Sequence, residues 1–164
     1  MTTLIIAQII GLVGMALDVY ATLNKSDKRL IRIHALGSYI FSLHYFLLGA
    51  YPGAIAEILN GTRTSISSFT QSKLLAVIFI GIYMTLTILI PENLIETAPF
   101  IAAILITIGL YFFRGINMRL FYLIGFALWL AYSIIVNSIG GIIVFAILLC
   151  TTSLTIWRLH KEKR

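Results

Sequence analysis

Seven apolar runs of 17 to 21 residues fill nearly the whole chain, and the connections between them are only two to seven residues long. A helix needs roughly 20 apolar residues to cross a bilayer, whereas a barrel strand needs about 10 of alternating character. In lipid, only helices and closed barrels satisfy their own backbone. The runs are long and continuous, so the expectation is an all-α polytopic membrane protein with seven transmembrane helices. The spans are expected at 3–23, 31–50, 53–71, 74–91, 97–113, 118–136 and 139–158. Residues 1–164 then make a single transmembrane domain, with 159–164 as a cytoplasmic tail. Composition agrees: 60% of the residues are hydrophobic and 11% charged, against about 25% charged in a soluble domain.

The first ten residues, MTTLIIAQII, lack a basic leader and a small-residue cleavage site, so they read as a retained helix. One cysteine, Cys150, sits in an apolar run and supports neither a disulfide nor a metal site.

Sidedness follows from Lys and Arg. Lys25, Lys28, Arg29 and Arg32 flank the first connection, Lys73 the third, and Arg114 and Arg119 the fifth. Arg158, Lys161, Lys163 and Arg164 end the chain. The second, fourth and sixth connections carry none, and the fourth carries Glu92 and Glu96. That pattern fits an odd number of spans, with the N-terminus outside and the C-terminus cytoplasmic. The net charge of +6 is then topology charge, and nucleic acid is not an expected partner. The twelfth basic residue, Arg63, lies inside a span.

A shift of 88 residues aligns spans 2–3 with spans 6–7 without a gap. Gly37 meets Gly125, Phe41 meets Trp129, and His44 meets Tyr132. Gly53 meets Gly141, Thr64 meets Thr152, and Ser65 meets Ser153. The expected organisation is a three-helix repeat over 3–71, a linker helix over 74–91 and a second repeat over 97–158. Three helices reverse the chain's direction and the linker restores it, so the repeats are expected to run parallel. In transporters built this way, the substrate site lies near the midplane.

Ionisable groups inside spans are costly and usually functional. Here they are Asp18, His34, His44, Glu57 and Arg63, with Asn60 beside them. Helical rise places Glu57 about 6 Å, Asn60 about 10 Å and Arg63 about 15 Å below the start of span 3. Glu57, Asn60, Thr64, Ser67 and Gln71 form one polar stripe on that span. His34, Gly37, Phe41 and His44 share a face of span 2. Two readings stand for each residue. Asp18 and Arg63 form a structural charge pair or a gating one, with Glu57 nearby. His44 bonds a neighbouring helix or contacts a solute. Phe41 and Trp129 pack or line a path. His34 reads as interfacial. There is no G-x-S-x-G, no HExxH and no Gly-rich phosphate loop, so no enzyme, cofactor or metal is expected.

The segment HYFLLGAYPGAIAEILNGTRT (44–64), with LNKSDKRL (23–30), GINMR (115–119) and NSIGG (137–141), resembles the YgjV family of bacterial inner-membrane proteins. The resemblance runs over nearly the whole chain and implies the bacterial inner membrane. It carries His44, Gly49, Tyr51, Pro52, Asn60 and Arg63 into the family's pattern, but not Glu57. The three-one-three plan also resembles the SWEET, PQ-loop and NMN-transporter group, which often places an Asn on the third helix of a repeat, where Asn60 stands. The repeat equivalent of Asn60 is Leu148, and the PQ signature is missing.

The function expected is a small-solute transporter or facilitator working by alternating access between the repeats. His44, Asn60, Arg63, Trp129 and Phe41 would contact solute. The alternative is a non-transporting membrane receptor or assembly factor with a one-sided pocket, as the KDEL receptor is within a similar architecture. The partners expected are the lipid bilayer and a small polar solute; a homo-oligomer is compatible with either reading.

Overall fold

The structure is a computed structural model, and it describes residues 2–22, 27–70, 72–113 and 115–162, with side chains over 2–21, 32–70, 72–113 and 115–161. The basic residues Lys25, Lys28, Arg29, Arg114, Lys163 and Arg164, and Gln71 of the polar stripe, lie outside the described side chains.

Seven α-helices form among the described residues: α1 Thr2–Thr22, α2 Asp27–Leu47, α3 Tyr51–Ser67, α4 Lys73–Leu89, α5 Ala98–Phe112, α6 Gly115–Ile135 and α7 Ile139–Glu162. Among the described residues, four stretches are long and apolar enough to cross a membrane: Thr2–Ala21, Leu94–Phe112, Gly115–Ile135 and Ile139–Lys161. Lys73–Leu89 is apolar but shorter. α2 and α3 carry the charged and polar residues, which is why neither stands out by hydropathy.

Helix ends depart from expectation for local reasons. α3 starts at Tyr51 because Pro52 sits in its first turn, where its missing N–H costs nothing. It stops at Ser67, not 71. The hydroxyls of Ser67 and Ser68 bond back to the carbonyls of Thr64 and Ser65, both at 2.7 Å, competing with helix continuation. The fourth connection, expected as plain loop, contains a 3₁₀ turn at Leu94–Thr97. There the Asn93 side chain accepts from the amides of Ile95 and Glu96, while Glu96 reaches back to the Glu92 amide. This is a variant of the capping box, with the return bond made to the residue before the cap, and it is legible in retrospect as N-x-x-E.

By internal contacts the chain divides into two compact units, Met1–Gln71 with Ser133–Val144, and Ser72–Tyr132 with Phe145–Arg164. In the first, α2 packs on both α1 and α3; in the second, α4 packs on α5.

The 88-residue offset reappears in the backbone. α2 and α6 are both 21 residues long and start 88 residues apart, at Asp27 and Gly115, and α3 and α7 start at Tyr51 and Ile139. α2 ends in a left-handed residue, Gly49 (φ 75°), and α6 in Asn137 (φ 54°). The amides after these ends bond identically: Gly49 to Phe46 and Ala50 to Tyr45, as Asn137 to Ile134 and Ser138 to Ser133. Both are Schellman turns, and only Gly or Asn adopts their αL position cheaply.

Tertiary pairs repeat as well. An ideal Cβ on Gly37 would collide with the Asp18 carboxylate, and one on Gly125 would stand 2.7 Å from Ile106; Ile106 is the counterpart of Asp18. Phe41 meets His44 edge-on at 5.9 Å, as Trp129 meets Tyr132 at 6.1 Å. At these positions the contacts recur at the same offset with different side chains.

Candidate functional site

The first unit encloses a cluster of polar residues drawn from three helices. Asp18 comes from α1, His34 and Ser38 from α2, and Glu57, Asn60, Arg63 and Thr64 from α3. All are buried except His34, whose side chain is 44% exposed. Helix periodicity explains the assembly. Glu57, Asn60 and Thr64 recur at three- and four-residue spacing, so they share one face, and His34 and Ser38 do the same on α2. Gly37 lies beside them and, having no Cβ, leaves room for the Asp18 carboxylate against the α2 backbone.

Asp18, expected opposite Arg63, accepts a hydrogen bond from the His34 ring, with 2.9 Å between Nδ1 and Oδ1. His34, expected as an interfacial residue, is therefore its direct partner. Glu57 is hydrogen-bonded to the side chains of Ser38 and Asn60, and it lies within electrostatic reach of Asp18 and His34. Arg63 and Glu57 both act on His34. Glu57, which the sequence placed near the outer end, is only 6% exposed. Ser67 is half-buried, at the end of the stripe.

His44 belongs to a different construction. Its ring is fully buried. Nδ1 lies 2.6 Å from the Ala7 carbonyl and Nε2 2.7 Å from the Ser138 hydroxyl. A carbonyl only accepts, so Nδ1 carries the hydrogen, and Nε2 accepts from Ser138. Ser138 in turn accepts from the Gly141 amide at 3.0 Å. The ring reaches α1 because Gly11 has no side chain: a Cβ there would stand 2.7 Å from it. Gln8 reinforces the same junction, donating to the Asn137 carbonyl at 2.7 Å and accepting from the Ile139 amide at 3.1 Å. Tyr45 and Ser133 bond at 2.9 Å alongside. In this arrangement both ring nitrogens of His44 are engaged by the protein, and its geometry is that of a helix clamp.

The two aromatic residues expected to line a path are packed within their own units. Phe41, 2% exposed, stacks on Tyr45 at 6.1 Å and lies against Gly14. Trp129, 1% exposed, stacks on Phe145 at 5.4 Å. Among the described residues no three His, Cys, Asp or Glu side chains are grouped to hold a metal ion.

Sequence reasoning missed Ser38, Gln8, Ser133 and Ser138. Ser38 was signalled by its position four residues after His34, on the same face of α2. The others carry no periodic signal; each matters only through a partner distant in sequence.

The offset of 88 residues gives the cluster a built-in comparison. The counterparts of Asp18, His34, Ser38, Glu57, Asn60 and Arg63 are Ile106, Tyr122, Phe126, Phe145, Leu148 and Thr151. Where Glu57 bonds Ser38, Phe145 meets Phe126 ring to ring at 6.3 Å. At this pair of positions the first half places a hydrogen-bonded polar pair and the second a pair of rings.

Long apolar helices and a polar cluster held inside them define an α-helical membrane protein. The family model of the Imp-YgjV bacterial inner membrane proteins matches residues 5–163, and the chain belongs to that family. It is 28% identical over 165 residues to the inner membrane protein YgjV of Escherichia coli (strain K12), covering 99% of this chain and 90% of that protein. No solved structure matches it.

Proposed function

We propose that the protein is a transporter or facilitator for a small polar solute in the bacterial inner membrane. It crosses the bilayer seven times, N-terminus outside and C-terminus cytoplasmic. Its two three-helix repeats, 3–71 and 97–158, joined by the linker helix 74–91 in a SWEET-like plan, are the moving parts. The positive-inside distribution of Lys and Arg supports that topology.

One observation carries the reading: the carboxylates of Asp18, against Gly37, and Glu57, bonded to Ser38, stand where 88 residues on Ile106 lies against Gly125 and Phe145 against Phe126. Folding alone therefore gives no reason for the carboxylates of Asp18 and Glu57. Buried ion pairs are weak stabilisers compared with apolar residues of similar size, and intramembrane charges mark substrate and ion pathways. Asn60 and Arg63 contact the solute in this reading. His44 contributes by holding α1 to α2, not by binding.

The test is uptake into liposomes carrying purified protein, screened with labelled amino acids, nucleosides, sugars and small organic acids. At least one is taken up, and Asn60→Ala or Arg63→Ala abolishes the uptake while the protein stays monodisperse and helical. No flux across the screen, together with a protein that copurifies in stoichiometric amount, would replace this reading with that of a receptor or assembly factor.

A further inference from the structure

The charges of the polar cluster do not balance. Asp18 and Glu57 contribute two carboxyl groups, and Arg63 one guanidinium cation. The remaining member is the His34 imidazole, neutral or cationic. With His34 neutral and both acids ionised, the cluster carries a net negative charge in a low-dielectric interior, a costly state. Adding a single proton to His34 or to either carboxylate makes the sum zero. No other described group in the first unit offsets it. On α1, Asp18 is the only ionisable side chain in the cluster, and Tyr20 is exposed. On α2, Arg32 is exposed and the His44 ring is taken up by Ala7 and Ser138. Residues 133–144 contain no ionisable side chain.

The geometry also supplies a route. The His34 side chain is 44% exposed, and the Asp18 side chain bonded to it is 9% exposed. Glu57, held by Ser38 and Asn60, is 6% exposed. The groups thus run from a half-exposed imidazole, through its hydrogen bond to Asp18, to the enclosed Glu57 carboxylate that lies within electrostatic reach of both.

We propose that the Asp18–His34–Glu57–Arg63 cluster is a proton-binding site, loaded from water through His34, and that its proton is the coupling ion of the transporter. The first part stands on the cluster alone; the second rests on the transport reading. The second half of the chain has no equivalent, since Ile106, Tyr122, Phe145 and Thr151 occupy those positions, so the device is single and asymmetric. The step itself is simple: a hydronium ion at His34 gives up a proton and becomes water, the proton binds an imidazole nitrogen or a carboxylate oxygen, and it leaves by transfer back to a water molecule.

The test reads the proton directly, in lipid nanodiscs at neutral pH. Nitrogen-15 NMR of the histidines reports whether His34 is an imidazolium, and infrared difference spectra report protonated carboxyl groups. The wild type shows one of these two signatures. Glu57→Gln and Asp18→Asn each remove a negative charge, so either variant shows a neutral His34 and no protonated carboxyl. Arg63→Gln removes the positive charge and shows both signatures at once. If one acid variant does not fold, the other makes the same change. A wild type with neutral His34 and two ionised acids, or identical spectra across the set, overturns the site. In liposomes, a pH gradient drives solute uptake at least several-fold, and Glu57→Gln loses that drive. Proton signatures without solute flux leave the site standing and sink the transport reading. Flux indifferent to the gradient overturns the coupling.

Discussion

Replacing His44 by Leu separates a clamp from a ligand. Leu keeps the site apolar and nearly fills it, so the loss is mainly two hydrogen bonds, to Ala7 at 2.6 Å and from Ser138 at 2.7 Å. Hydrogen bonds between membrane helices are worth about 0.6 kcal/mol on average and up to about 1.7. The two together put the loss at about 1–3 kcal/mol, a roughly 5- to 150-fold shift in the unfolding equilibrium. The bond between the partners can be isolated with Ser138→Ala and the double variant, whose coupling energy is expected at about 0.6–1.7 kcal/mol. The assay is reversible unfolding in mixed micelles by SDS titration, followed by circular dichroism. Wild-type stability in His44→Leu with solute uptake lost, or no coupling to Ser138→Ala, would refute the clamp and return His44 to the binding site.

Other outcomes follow from the same contacts. Gly140→Ala places a methyl group on the Gly11 backbone, which cannot rotate away, and destabilises by about 1–3 kcal/mol. Gly81→Ala, with nothing within 4 Å, is neutral or gains up to about 1 kcal/mol in the same unfolding titration. Gly49→Ala, at φ 75°, costs about 1–2 kcal/mol, whereas Asn137→Gly at the equivalent turn is tolerated; thermal melts of the pair distinguish them. Asp18→Ile, His34→Tyr, Ser38→Phe, Glu57→Phe, Asn60→Leu and Arg63→Thr together copy the residues 88 positions on into the first half and leave no buried charge without a partner. That variant folds with equal or greater stability, by up to about 4 kcal/mol, and has no uptake; collapse of the fold would show that the charges are structural.

How much could be read without coordinates depended on what kind of fact was asked. The seven helices were visible because a run of apolar residues has one stable form in lipid, and the structure places a helix at each run. The repeat was visible as an offset, although the identities behind it were few. The backbone shows the same offset at particular places: paired Schellman turns, and Gly37 and Gly125 receiving counterpart side chains. Periodicity also found most of the polar cluster, since the faces of α2 and α3 are set by helical geometry alone. It could not say which groups on those faces bond. Asp18 pairs with His34 because α1 and α2 approach at Gly37, a register decided by packing between helices.

His44 marks the boundary between the two kinds of knowledge. Its presence in a span, its depth and its face all came from the sequence, and together they suggested a ligand. Its role came from Ala7 and Ser138, which lie 37 and 94 residues away. A chain's own periodicity determines what an amino acid can face, because that depends on neighbours one turn away. What it does face depends on how closely distant backbones approach. Here Gly11 opens that approach by having no side chain, and only the tertiary structure decides that the space goes to the ring of His44.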